Sequence, residues 1–240
     1  MTAVAALPAF AADGEGILQR TITWFNDPLN YRGPNGVAAL TVEHLWITFA
    51  AVVLACAVAL PVGIWMGHRG RGGTLVVVVS NLSRAIPTLA LLTIFAVGDL
   101  GFGNRPTILA LAIFAIPPLL ANAFVGVSQV DPDARDAARG MGMSGWQVLR
   151  DVELPLAVPL VAAGLRTAVV QVCATASLAA LVAGGGLGVL INLGFGQRRF
   201  DEVLAGGLLI AVLCLVLELV MATVQRAVTP QALRRGRLVT

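Results

Sequence analysis

The sequence predicts an all-α integral membrane protein, and three observations predict it. Of its 240 residues 58% are hydrophobic and 12% charged, with a mean hydropathy of +0.86, against roughly 45–50% apolar and about 25% charged in soluble domains. Five windows stay apolar over about 20 residues, the length that crosses a bilayer as a helix. The charged residues collect mostly between those windows.

Residues 1–12, MTAVAALPAFAA, lack a basic start and carry Pro8 in a very short apolar run, which argues against a signal peptide. Residues 1–41 hold too many Pro, Gly, Asp and Asn for a span and read as an extracytoplasmic segment. Within it, Ile17, Leu18, Ile22, Phe25 and Leu29 recur at helical spacing beside Trp24, with Arg20, Asn26 and Asp27 between them. That pattern predicts an interfacial helix. The spans follow at residues 43–66, 74–97, 106–128, 158–182 and 203–224, inside a transmembrane domain covering 42–228, with a basic tail at 229–240. The first, third and fifth are apolar on most faces; the second and fourth are more polar, and Pro87 should kink the second.

Orientation follows from arginine, because all 16 Lys+Arg residues are arginine. Segments 67–73, 129–157 and 225–240 hold Arg69, Arg71, Arg135, Arg139, Arg150, Arg226, Arg234, Arg235 and Arg237. The opposite side holds Arg20, Arg32, Arg105, Arg198 and Arg199. The positive-inside rule then puts the N-terminus outside and the C-terminus in the cytoplasm, which five spans satisfy.

The absence of lysine excludes a P-loop and Schiff-base catalysis in this chain. Nothing supports nucleic-acid binding. Cys56, Cys173 and Cys214 lie far apart in apolar runs and read as packing or lipid-facing thiols. His44 and His68 flank the first span and are expected at the membrane interfaces rather than on a metal.

The longest connection on the arginine-rich side, residues 129–157, carries helix signals. Asp131 can cap, Pro132 suits the first turn, Asp133 and Asp136 favour the N-terminal dipole, and Ala134, Ala137 and Ala138 are strong formers. Gly140 and Gly142 should end that helix, Ser144 should cap a second, and Pro155 should stop it. Asp136-Ala137-Ala138, then Gly142, then Val152, Leu154 and Pro155 match in spacing the cytoplasmic signature Glu-Ala-Ala, three residues, Gly, nine residues, Ile, any residue, Leu-Pro. The chain therefore resembles permease subunits of bacterial ABC importers, with Asp136 in place of Glu and Val152 in place of Ile. SRAIPTLALL at 83–92, residues 136–159 and residues 164–188 bring it nearest to permeases for quaternary-amine osmoprotectants: glycine betaine, choline, carnitine or proline betaine. Methionine-importer permeases are the alternative.

The resemblance implies a non-catalytic subunit of a bacterial inner membrane. Its partners would be two ATP-binding subunits that hold ATP and Mg, a second permease, identical or homologous, and an extracytoplasmic binding protein. Ala137 and Ala138 would face the ATPase, Gly142 would permit the sharp turn, Met141 and Met143 would supply adaptable contact, and Asp136, Leu154 and Pro155 would complete the coupling element. A self-powered secondary transporter or channel should instead show broken helices in repeated halves or a ring of acidic residues, and neither is evident.

Polar residues inside the spans are costly in lipid. Ser80, Asn81, Ser83, Arg84 and Thr88 in the second span, and the stripe Thr167, Gln171 and Thr175 in the fourth, either line a route or join helices; Asn81, Arg84, Thr88 and the stripe are the route candidates. In the family reading Gly184, Gly185, Gly186 and Gly188 lie near the outer gate. Four scattered tryptophans and one tyrosine build no aromatic cage for a quaternary ammonium, which is expected on the binding protein. Glu218 and Arg166 lie about 9 and 12 Å from the same side at 1.5 Å per residue and are expected to pair. Arg84 is a competitor for Glu218, and snorkelling to the headgroups the alternative.

Overall fold

A computed structural model describes residues 16–230, apart from the side chains of residues 82–85. The expectations for residues 1–12, for the Arg84 side chain and for the tail beyond residue 230 lie outside it. Every regular element among the described residues is helical.

An amphipathic helix α1 (Ile17–Asn26) leads through a 3-10 turn at Pro28–Tyr31 into α2 (Val37–Arg69). There follow α3 (Gly73–Ala85), α4 (Thr88–Val97) and α5 (Asn104–Ser128), then the short α6 (Pro132–Gly140) and α7 (Gly145–Gln147). A π turn at Val148–Glu153 runs into α8 (Leu154–Thr175), which ends in 3-10 helix at Ala176–Val182; α9 (Gly188–Gly196) and α10 (Phe200–Val228) complete the chain. Four stretches are long and apolar enough to cross a membrane: Val37–Arg69, Asn104–Ser128, Gly145–Val182 and Phe200–Val228.

The second predicted span is two helices rather than one kinked helix. Proline disfavours helical backbone at the residue before it and offers no N–H of its own. Helix α3 accordingly ends at Ala85, and Pro87, extended at φ −64° and ψ 122°, caps α4. Pro155 departs from expectation in the other direction. It stands in the first turn of α8 instead of stopping a helix, and the preceding π turn, closed by the Leu154 N–H on the Leu149 carbonyl, leads straight into it. Proline is tolerated in the first turn of an α-helix. Helix α9 has no counterpart among the predicted elements.

Helix α5 sits at the centre, packed against α2, α3, α4 and α8. Small residues set these approaches. Ala51, Ala55 and Ala59 of α2, Ala112 and Ala115 of α5, and Ala168 of α8 are fully or almost fully buried in one core. A Cβ on Gly63 would lie 2.8 Å from the Ala123 Cβ, and one on Gly164 would lie 2.6 Å from the Asn122 Cβ. Apolar side chains gain little from leaving lipid for one another, so close van der Waals contact through small residues is what binds such helices. A second core gathers Trp24 of α1 with Val37 and Leu40 of α2, Leu187 and Leu190 near α9, and Ala205 and Ile210 of α10. Trp24 thus anchors α1 on the bundle, while Leu18 and Ile22 stay exposed.

Candidate functional site

Two polar ends and one polar concavity interrupt the apolar bundle. At one end lies the loop between α5 and α8. The Asp131 carboxylate caps α6 by accepting the Asp133 N–H at 2.9 Å. At the other end of α6, Gly142 takes φ +85°, its N–H donates to the Arg139 carbonyl and the Met143 N–H to the Ala138 carbonyl. This is a Schellman turn, which favours glycine at its left-handed position. Ser144 then starts α7 with a reciprocal capping box to Gln147, worth about 1 kcal/mol. The loop presents Asp136, Ala137, Met141 and Trp146 to the outside, with Met143 partly covered. Ala138 is buried within the chain, which corrects the expectation that it faces a partner along with Ala137. Ala138 is the one buried residue of α6 and turns inward, while its neighbours Ala137 and Arg139 stay exposed. Leu154 is partly covered and Pro155 is exposed.

Sequence reasoning missed Glu153, which fills the unspecified position of the signature. Its side chain is fully buried, with His68 Nδ1 2.6 Å from Oε2 and Arg135 Nε 3.0 Å from Oε1. Arg135 also donates from Nη2 to the Val127 carbonyl at the end of α5. Removing one partner of a buried pair leaves an uncompensated charge, at about 3–5 kcal/mol. No local spacing links positions 68, 135 and 153, so only the fold reveals the cluster.

Midway along the bundle, a concavity of about 470 Å³ is lined by Ser80, Phe114, Pro117, Pro118, Ala121, Asn122, Thr167 and Gln171. Gln171 and Thr167 are exposed on one face of α8. Thr167 and Thr175 turn their hydroxyls onto the Ala163 and Gln171 carbonyls, and Asn122 donates to the Pro118 carbonyl. Pro117 and Pro118 have no N–H for the carbonyls of Ile113 and Phe114, so α5 frees two acceptors at this level. Of the predicted route residues, Thr167 and Gln171 enter this wall. Asn81 is exposed and Thr175 partly covered, both outside the lining; Thr88 borders an adjoining apolar cavity of about 260 Å³ with Val79, Ile86 and Leu91. Ser80, Asn122 and the proline pair join this wall without standing among the route residues that the sequence indicates.

The opposite end is built around the glycine run. Glu43 accepts the Gly186 N–H at 3.2 Å and the Asn104 Nδ2 at 2.8 Å, while Asn104 Oδ1 accepts the Gly185 N–H at 3.0 Å. His44 Nδ1 accepts the Leu187 N–H at 3.2 Å and Nε2 donates to the Cys173 carbonyl at 2.8 Å, which places the ring proton on Nε2. His44 is fully buried at this end of the bundle: the free N–H of the glycine loop and the last turns of α8 give the ring two partners inside the protein. A Cβ at Gly185 would fall on the Glu43 carboxylate, and one at Gly188 on the Ser177 carbonyl.

Between α8 and α10, Arg166 donates from Nε to Glu218 Oε1 at 2.8 Å and again from Nη2, while its Nη1 donates to Gln225 Oε1 at 3.2 Å. Both side chains of the ion pair are about one third exposed (35%).

Against this geometry, residues 59–232 match the family model described as "Binding-protein-dependent transport system inner membrane component". The chain is 34% identical over 211 residues to the glycine betaine/carnitine/choline transport system permease protein OpuCB of Bacillus subtilis, covering 87% of this chain and 97% of that one. It is 38% identical to the carnitine transport permease protein OpuCB of Listeria monocytogenes, over 82% and 90% of the two chains. With the osmoprotectant import permease protein OsmW of Salmonella typhimurium it shares 33% identity, over 87% and 100%. Among solved structures, an inward-facing form of the MetNI methionine ABC transporter superposes with a TM-score of 0.69 at 21% identity, covering 81% of this chain and 96% of that one. That likeness concerns the fold.

Proposed function

Because the chain belongs to the family of binding-protein-dependent transport system inner membrane components, we propose that it is the permease that passes a small quaternary-amine osmoprotectant across the inner membrane. The chain is a non-catalytic permease subunit of an ABC importer, and ATP hydrolysis belongs to separate subunits. The proposed assembly joins it to a second permease, two ATP-binding subunits and an extracytoplasmic binding protein. The N-terminus lies outside and the C-terminus inside, and α3 with α4 supplies the second of five crossings.

That topology is supported by the ends of the helices. The Glu153 cluster joins the last turns of α2 and α5 to the arginine-rich loop, while Asn104, Glu43 and the glycine run meet at the other end. In this arrangement the exposed α6 face with Asp136, Ala137 and Met141 seats on the ATPase, and the Gly184–Gly188 segment forms the outer gate.

One observation carries the transport reading: Ser80, Asn122, Thr167 and Gln171 open a polar concavity midway along the bundle, on a different face from the Arg166–Glu218–Gln225 tie between α8 and α10. Polar groups in hydrocarbon are expensive and mark pathways. Among the described residues this wall offers amides and hydroxyls but no formal charge, so a zwitterion or quaternary ammonium exchanges some water contacts there without being trapped. A second permease facing it closes the other half of the route. The relatives' names supply the cargo class, and a methionine-type permease is the competing reading. Cells lacking this gene should lose uptake of radiolabelled glycine betaine, choline or carnitine under osmotic stress and regain it on complementation. Loss of methionine uptake with unchanged betaine, choline and carnitine uptake would transfer the chain to the competing reading.

A further inference from the structure

We propose that Glu153 is a positioning residue for transport, the joint through which movement of α6 reaches the membrane helices. The proposal rests on the coupling reading of α6 above. Helix α6 has one buried residue, Ala138, and is otherwise exposed or half covered. Its polar attachment to the bundle runs through Arg135, one residue before the exposed Asp136 and Ala137. Arg135 reaches the Val127 carbonyl on the last turns of α5 and the Glu153 carboxylate. Glu153 in turn holds His68 in the last turn of α2, and it sits in the π turn that flows without a break into α8. One carboxylate therefore links α2, α6 and α8, and through Arg135 also α5.

Charge and burial make this link stiff. An apolar contact can slide with little change in energy, because it is non-directional. A buried carboxylate cannot, since a displacement strands its hydrogen bond with His68 or its ion contact with Arg135 away from water. A push on the Asp136–Met141 surface thus displaces Arg135, and Arg135 carries Glu153 and the start of α8 with it. The π turn adds a locally widened helix at the place where the displacement enters the span, a geometry often found at functional positions.

The test uses the whole importer, with its ATPase subunits, in proteoliposomes supplied with the binding protein and radiolabelled glycine betaine or choline. Four variants are compared: Glu153→Gln, His68→Ala, His68→Asn, whose amide can stand in for Nδ1, and Ala137→Trp as the control for the coupling surface. The measurements are the amount of assembled complex, the ATP hydrolysis rate and the uptake per ATP. For Glu153→Gln and His68→Ala we expect a lower amount of assembled complex, hydrolysis per complex within about twofold, and uptake per ATP reduced by about fivefold or more, beyond the loss of complex; His68→Asn should recover most of both. Unchanged uptake per ATP in both variants overturns the proposal, as does a loss of complex that matches the loss of uptake at a constant ratio, which would make the cluster structural only. If Glu153→Gln does not assemble, the contrast between His68→Ala and His68→Asn decides alone. Wild-type transport by Ala137→Trp would instead remove the coupling reading, and the joint with it.

Discussion

The Arg166 guanidinium on α8 holds one oxygen of Glu218 on α10 through two of its nitrogens, across 52 residues of sequence. Gln225 extends the contact, accepting from Arg166 and donating to the Pro159 carbonyl at 3.2 Å. Helix α10 packs on α8, α9 and α1, but its buried residues, Glu202, Ala205, Gly206 and Ile210, all lie in its first half, so this polar tie fixes the second half to α8. Arg166→Gln and Glu218→Gln should each lower the yield of monodisperse detergent-extracted protein. The exchanged pair Arg166→Glu with Glu218→Arg should restore part of the yield, but not all, because Gln225 would then have to reverse its amide. Strict additivity across the cycle would refute the interaction.

The glycine run should respond to methyl groups in a definite order. Gly188→Ala meets the Ser177 backbone carbonyl and cannot be relieved by a side-chain rotation; Gly185→Ala meets the Glu43 carboxylate, which can swing away at the loss of its hydrogen bonds. Gly207→Ala on α10 meets nothing within 4 Å and gains about 0.5–1 kcal/mol of helix propensity. Thermal unfolding of the purified chain should rank Gly188→Ala below Gly185→Ala, and both below wild type, with Gly207→Ala at or above it. Equal unfolding temperatures for the three variants would show that the run is not packed as described.

The concavity makes a claim about rate. Gln171→Leu and Asn122→Leu remove amides from its wall and should cut the maximal uptake rate by about tenfold, while Thr175→Val and Thr88→Val, which lie outside that wall, should stay within about twofold. Initial rates of labelled glycine betaine uptake at saturating substrate measure this. A larger effect from Thr175 than from Gln171 would place the route on another face of α8.

Much of the helical fold was legible because lipid imposes a simple rule: apolar length marks a span. The signature around Gly142 was legible because turn chemistry is local, and the left-handed backbone at Gly142 and the capping box at Ser144 follow from it. What escaped depends on distance. His44 looks interfacial from its neighbours, yet its partners are Leu187 and Cys173, brought there by the fold. Glu153 looks like loop charge until His68 and Arg135 arrive from other helices. The orientation of Ala138 was within reach of a helical-wheel argument. Pro87 was seen as a bend because the apolar window runs straight through it. Hydropathy does not register a missing N–H.

That interruption has an electrical side. At Ile86 and Pro87 the backbone between α3 and α4 leaves the helix, and the cavity beside it shares Phe114 and Pro117 with the polar concavity. Backbone that is not helix-bonded is tolerated at membrane depth only where protein or water receives it. Water that enters this notch through the polar concavity, where Ser80, Asn122, Thr167 and Gln171 can bond it, thins the insulating layer, and the membrane potential falls across a shorter distance. A cargo of the proposed zwitterionic class would then meet the field as a dipole over a few ångströms of low-dielectric material rather than over the full hydrocarbon thickness of about 30 Å. The same notch lowers the barrier for any small ion, so selectivity against leakage has to come from closure above and below it, and not from the middle of the membrane.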